Sequence, residues 1–138
     1  MTTVTVEEDI NAPAQAVWEA LSDFGGIKVG GPITSFSTEG EGVGMVRTIG
    51  MGGGTVVERL DVHDADALTF AYSIINEDCP LPVSGYSATV TISATGGDAC
   101  HVNWSGTFEP RGEEAAAVAV VEGIYKGGIA GARKATGG

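Results

Sequence analysis

The sequence predicts an α+β domain. A curved antiparallel sheet of about seven strands wraps around one long C-terminal helix, and two short helices follow the first strand. Three observations lead there. The stretch from Glu113 to Ala135 is the only long run that reads as helix without a proline. Between Ile33 and Glu109 the chain breaks into short runs of alternating apolar residues separated by Gly, Pro and Asp turns. Finally, the order strand, short helices, strands, long helix leaves few ways to bury the apolar faces. The sheet curls and the helix lies in its concave side with a cavity between them, a helix grip.

Taken in order, Thr2–Ile10 alternates through Val4, Val6 and Ile10 and reads as a strand. Asn11 and Pro13 are helix-starting residues, and Ala16, Val17, Ala20 and Leu21 make an apolar stripe beside Trp18. A second short helix or turn covers Ile27 to Gly30, before Gly31-Pro32 breaks the chain. Strands follow over 33–38, 43–51, 55–62, 68–75, 86–94 and 100–109, with a turn at Gly52–Gly54 and a longer loop from Asn76 to Gly85. On the strand 86–94, Ser87, Thr89, Thr91 and Ser93 form the wet face, so Tyr86, Ala88, Val90 and Ile92 point inward. On the last strand, alternation turns Val102, Trp104 and Phe108 inward and His101, Asn103 and Ser105 outward; a slip of one residue reverses every assignment.

In the long helix Ala117, Val120, Val121, Ile124 and Gly128 recur at helical spacing and form its apolar face. Glu113 and Glu114 at its start and Arg133 and Lys134 at its end complement the macrodipole. Gly123, Gly127, Gly128 and Gly131 lie inside it, each costing about 0.8–1 kcal/mol relative to alanine. Such a helix must be held by what it packs against. Its glycines read as cavity volume, with Gly128 and Gly131 facing the hollow and Val120, Val121 and Ile124 as walls. On that reading Gly128→Leu fills the pocket and spares the fold.

At 138 residues the chain is one domain, 1–138, with enough length for a true core. A net charge of −11 argues against nucleic acid or an anionic membrane as partner, since either needs a basic face. No basic-then-apolar leader follows Met1, and the longest apolar run, Ala115–Val121, is too short to span a bilayer. Cys79 and Cys100 sit in unrelated contexts and read as free thiols of a cytoplasmic protein. No His or Cys spacing suits a metal, and no cofactor motif appears. Gly50–Thr55 lacks the lysine and helix of a phosphate loop and reads as a hairpin turn.

The blocks INAPAQAVWEALSDFGG, EGVGMVRTIG, VVERLDV, LTFAYSII, GYSATVTI and VNWSGTFEP together resemble the START-like (Bet v 1-like) superfamily, and within it the bacterial polyketide cyclase/dehydrase branch. The resemblance implies a mostly apolar cavity that takes a small hydrophobic or aromatic molecule. It implies that Arg47, Ile49 and Met51 face the cavity, with Val56, Glu58 and Leu60, then Phe70, Tyr72 and Ile74, and then Tyr86, Ala88 and Val90. The position of Glu58 resembles a pocket glutamate that holds ligand through water in the superfamily's hormone receptors. The Gly52–Gly54 turn resembles their gate loop. Where many members carry an aromatic and a His or Trp after the FGG block, this chain has Ile27-Lys28-Val29-Gly30-Gly31, which implies a wider mouth with a cation, Lys28, or simply a surface lysine.

Each candidate has a chemical and a structural reading. Glu58 in an apolar cavity gains a raised pKa and general acid/base capacity, or it pairs with Arg59 or Arg47. Tyr86 donates to a ligand or an enolate, or it is a rim aromatic with its hydroxyl in water. Arg47 clamps a carboxylate with its fork, or it pairs with Glu58 or a C-terminal carbonyl. Tyr72 and Tyr125 read as core or wall. Two functions follow: a monomeric or homodimeric binding module, or a cofactor-independent cyclase, dehydratase or aldol-type lyase with Glu58 as acid/base and Tyr86 as enolate stabiliser.

Overall fold

The computed structural model describes residues 1–27 and 29–138. Seven strands and two helices follow in the order β1 (Thr2–Ile10), α1 (Ala14–Leu21), β2 (Ile33–Glu39), β3 (Val46–Met51), β4 (Gly54–Asp64), β5 (Thr69–Ile74), β6 (Val83–Gly96), β7 (Ala99–Pro110) and α2 (Glu114–Thr136). They form one antiparallel sheet ordered β1-β7-β6-β5-β4-β3-β2. Every neighbour but one is a hairpin partner. The exception, β1 on β7, brings the first and last strands together and lets the sheet curl around α2, giving the expected α+β helix grip.

The strands follow the sequence periodicity. On β7, Cys100, Val102, Trp104, Gly106 and Phe108 are buried and the residues that alternate with them are not, so the expected register stands. β6 holds an irregularity between Ser84 and Ser87, where Gly85 takes φ +60°. Two residues there oppose one on β7, which restores the inward parity of Tyr86 after an inward Val83. β3 starts three residues later than alternation suggested, because Met45 N donates to Gly42 O (3.0 Å) in a turn.

Two helical expectations change. α1 begins after Pro13, whose carbonyl accepts from Ala16 N and Val17 N; Asn11 does not cap it. Of the stretch Ile27 to Gly30, expected as a second short helix or a turn, the described residues Ile27, Val29 and Gly30 are not helical, and a turn follows at Gly31-Pro32. Gly30 and Ile33 exchange backbone hydrogen bonds of 2.9 and 3.0 Å around Gly31 (φ +55°) and Pro32, a sequence that cannot hold a helical turn. Lys28, expected at the mouth, lies outside the described residues.

α2 is rotated relative to the expected stripe. Its buried residues are Ala117, Val121, Tyr125, Ile129 and Ala132, whereas Val120 and Ile124 are 40% and 38% exposed. The face is chosen by the tyrosine. Tyr125 is fully buried, and its hydroxyl occupies the space a side chain at Gly106 of β7 would need. Gly131 is exposed and its Cβ direction is open, so it does not face the hollow. Gly128 does face inward, but its Cβ would sit 2.5 and 2.7 Å from Trp104 Cζ3 and Cη2. It permits close contact with the indole rather than leaving empty space. Arg133 ties the helix end to β1 through Glu8 Oε1 (3.0 Å) and Asp9 O (2.7 Å). By length and composition α2 resembles a membrane-spanning helix, yet it packs one face on the sheet.

Candidate functional site

A cavity of about 340 Å³ lies between the sheet and α2. Its floor is the β3–β4 hairpin. The turn at Gly52 and Gly53 pairs Met51 with Gly54, which sets Arg47 directly opposite Glu58. Both face inward by alternation. Arg47 Nε donates to Glu58 Oε1 at 2.7 Å, and Nη1 donates to Phe24 O at 3.3 Å. The guanidinium carbon lies 3.9 Å from the Phe24 ring centroid and 5.5 Å from that of Tyr72. Glu58 is buried at 7% exposure. A charge this deep is tolerable only when paired, and the pair is further held by the aromatic faces. Arg59, the other partner considered for Glu58, points outward and pairs with Asp61 (2.7 Å). Arginine carries five N–H donors, so Arg47 keeps donor capacity beyond these two contacts, on a side chain that lines the cavity.

The walls are apolar. Of the expected ligand-binding residues, Arg47, Ile49, Met51, Val56, Phe70, Tyr72, Trp104, Ile124 and Gly128 line the cavity together with Glu58. The others lie elsewhere. Ala88, Val90 and Val121 are packed in the core. Leu60 lines a separate recess near Phe24 and His63, Ile74 an outer recess with Tyr86 and Arg111, and Val120 is exposed. On the strands, parity explains the misplacement, because a residue can face inward yet be covered by a helix rather than by the hollow; for Val120 and Val121 it follows from the rotation of α2.

Sequence reasoning missed Ala20, Leu21, Asp23, Gly26, Ile27, Ile33 and Leu81 as lining residues. They come from the end of α1, the loop after it, the start of β2 and the loop before β6. The departure from the family pattern just after the FGG block and the Cys79-Pro80-Leu81-Pro82 run were the available signals. Most of them (Leu21, Ile27, Ile33 and Leu81), with Met51, are half-buried and form an apolar rim. The Gly52–Gly54 turn approaches the same loop, with Pro80 beside Gly53 and Gly54. Cys79 in that loop is buried, its thiol over Leu81 O (3.7 Å) and Val83 O (3.9 Å), and so it serves the loop's structure.

Tyr86 is placed differently from expectation. It is buried rather than at the mouth, and it is not among the lining residues. Its hydroxyl sits 2.5 Å from that of Tyr125 and 3.4 Å from that of Tyr72, while Trp104 Nε1 donates to the Tyr72 oxygen at 3.2 Å. The Trp104 and Tyr125 rings stack at 5.0 Å and 17°. Three phenols and an indole thus form one buried chain whose Tyr72 and Trp104 end reaches the cavity. Burial pushes the Tyr125 phenol up to about 12 and those of Tyr72 and Tyr86 upward as well, so all three remain neutral donors near neutral pH.

The comparisons with known proteins agree with this geometry. The profile of the family described as polyketide cyclase / dehydrase and lipid transport matches residues 1–136. Among solved structures, an uncharacterized protein of Bacillus thuringiensis is 29% identical over 98% of both chains with a TM-score of 0.82. The Bacillus cereus protein XoxI is 28% identical over 99% of this chain and 96% of its own, with a TM-score of 0.84. Norcoclaurine synthase of Thalictrum flavum, solved with dopamine and hydroxybenzaldehyde, shares the fold at 20% identity over 98% of this chain and 83% of its own, with a TM-score of 0.73. No curated protein matches the chain. With the helix-grip cavity and a family match across nearly its whole length, the chain belongs to the polyketide cyclase/dehydrase and lipid transport family.

Proposed function

We propose that the protein binds a small hydrophobic or aromatic molecule in the cavity between the sheet and α2. The observation that carries this reading is the cavity itself: about 340 Å³, walled by Ile49, Val56, Phe70, Tyr72 and Trp104, with the Arg47–Glu58 pair set into its floor. An apolar hollow with few oriented polar groups is the usual form of a small-molecule site. The walls supply burial, at about 25 cal/mol per Å² of apolar surface removed from water, and the pair with its spare N–H groups fixes orientation.

Thermal melts against a broad library of hydrophobic and aromatic compounds test the reading. A ligand at a hundred times its Kd adds about 2.7 kcal/mol of stability, a shift of several degrees. A library in which no member raises Tm overturns the proposal.

A second reading is favoured by one observation, the carboxylate of Glu58 on the cavity floor, and supported by the family's description and by the aromatic ligands of norcoclaurine synthase. It is a cofactor-independent cyclase, dehydratase or aldol-type lyase in which Glu58 takes a proton next to a carbonyl and the apolar walls fold the substrate. Proton transfer of this kind contributes about 10²–10⁴-fold. Glu58→Gln therefore leaves binding largely in place under this reading and lowers turnover by about two orders of magnitude or more; full turnover in that variant excludes the role.

A further inference from the structure

The buried phenol chain carries one more hydrogen than it can use internally. Tyr72, Tyr86 and Tyr125 supply three O–H donors, and the chain contains two oxygen-to-oxygen contacts, Tyr72–Tyr86 and Tyr86–Tyr125. Trp104 N–H already occupies one acceptor site on Tyr72. Two hydroxyl protons fill the two contacts, and the third must leave the chain; in the middle, Tyr86 is buried and among the described residues its hydroxyl meets only the other two phenols, so the low-cost exits are the two ends.

The two ends differ. At the Tyr125 end the ring is fully buried, stacked on Trp104 and pressed over Gly106, and among the described residues its hydroxyl has no partner other than Tyr86. A proton directed there is buried without an acceptor, which is the costly arrangement. At the Tyr72 end the side chain lines the cavity, where a ligand or a water can accept. The low-cost polarity therefore runs from Tyr125 to Tyr86 to Tyr72, with the last proton offered to the hollow. Each donation along the chain strengthens the next.

We infer that Tyr72, polarised by Tyr86 and Tyr125 behind it, is the hydrogen-bond donor that selects the ligand, and that the protein prefers an apolar or aromatic molecule carrying a carbonyl-type oxygen. The inference rests on the binding reading above and narrows it to a ligand class. It also moves the donor role expected of Tyr86 to its neighbour: Tyr86 positions and polarises, and Tyr72 touches the ligand. Arg47 lines the same cavity, its guanidinium 5.5 Å from the Tyr72 ring centroid, and is the competing donor for such an oxygen.

A matched pair of probes tests this: 2-acetylnaphthalene, and 2-isopropenylnaphthalene, which has nearly the same shape but a methylene in place of the carbonyl oxygen. The wild-type chain is expected to bind the ketone about tenfold more tightly, the worth of one well-made hydrogen bond. Tyr72→Phe should bring the affinity ratio close to one. Tyr86→Phe and Tyr125→Phe, which change no lining residue, should cut it two- to threefold. Equal binding of the two probes by the wild-type chain overturns the inference while leaving the cavity reading intact. Binding of neither probe overturns the inference, and the cavity reading then rests on the thermal melts against the broad library. A full ketone preference in Tyr72→Phe assigns the donor to Arg47 and overturns the role of Tyr72. A wild-type ratio in both Tyr86→Phe and Tyr125→Phe overturns the polarising chain.

Discussion

The two faces of α2 carry the same residue type for opposite reasons. On the inner face Gly128 lies against the edge of the Trp104 indole, and a Cβ there would sit 2.5 Å from Cζ3. On the outer face Gly123, Gly127 and Gly131 meet no atom within 4 Å along their Cβ directions. The inner glycine is required by packing. The outer ones only loosen the helix. Glycine content in a helix is thus uninformative until the face is known, and it is the opposing surface that decides.

The largest expected effect comes from breaking the inner face. Gly128→Ala drives a methyl into an indole held by its Tyr72 hydrogen bond and by its stack on Tyr125. Overpacking costs about 1–3 kcal/mol, against a helix-propensity gain of about 0.8–1 kcal/mol, so a net loss of up to about 2 kcal/mol is expected in denaturant unfolding. Because the indole's room to move is toward the cavity, ligand affinity falls as well. Gly128→Leu, which at first sight only fills the pocket, is expected to be worse on both counts. A variant more stable than wild type would dissolve the contrast between the faces.

A smaller effect of opposite sign is expected outside. Gly127→Ala and Gly131→Ala each add about 0.5–1 kcal/mol of stability, since each removes unfolded-state freedom and meets nothing. Ligand affinity should not change. Destabilisation by either would show that the outer face is covered by something in solution.

The smallest effect extends the contrast to β7, where Trp104 faces in and His101 faces out. His101 Nδ1 lies 2.8 Å from Asp9 Oδ1 and Nε2 lies 3.1 Å from Glu7 Oε1, joining β7 to β1. The hydrogen bonds to Asp9 and then Glu7 hold the imidazolium above its ordinary value of 6.5. The bond from His101 holds Glu7 below its ordinary 4.5. The sign follows from each shift. The histidine's contribution is present in full below 6.5 and lost as pH rises through its raised value. The glutamate's is present above 4.5 and lost as pH falls through its lowered value. Wild type should therefore exceed His101→Gln most between about pH 4.5 and 6.5, by a small margin because the bridge is open to solvent. A stability difference that is flat from pH 5 to 9 would remove the bridge from the account.

Much of the architecture was legible in the residues. Period-two alternation located the strands, and their wet faces, such as Ser87, Thr89, Thr91 and Ser93, fixed which side was in. The phase of α2 was not legible. Val120 beside Val121, and Ile124 beside Tyr125, give apolar residues on adjacent faces, so hydrophobicity alone cannot choose. The choice depends on whether a tyrosine finds room, and that room is made by Gly106 on a distant strand. Arg47 and Glu58 were legible as inward residues, but their pairing depended on the hairpin register. Tyr72, Tyr86 and Tyr125 were visible as aromatics on three elements; only curvature of the sheet around the helix brings their hydroxyls together.

The short turn at Gly52 and Gly53 also bears on how such a site evolves. The cross-strand partners Met51–Gly54 and Arg47–Glu58 share one hairpin register. An insertion of a single residue in the turn would shift that register by one, turning Arg47 or Glu58 to the outer surface and stranding the other inside. A point substitution in the wall trades one contact for another, whereas a one-residue indel at this turn would remove the charged floor in a single step. Within the family, loop length at this position should track ligand chemistry more closely than the identity of any one wall residue.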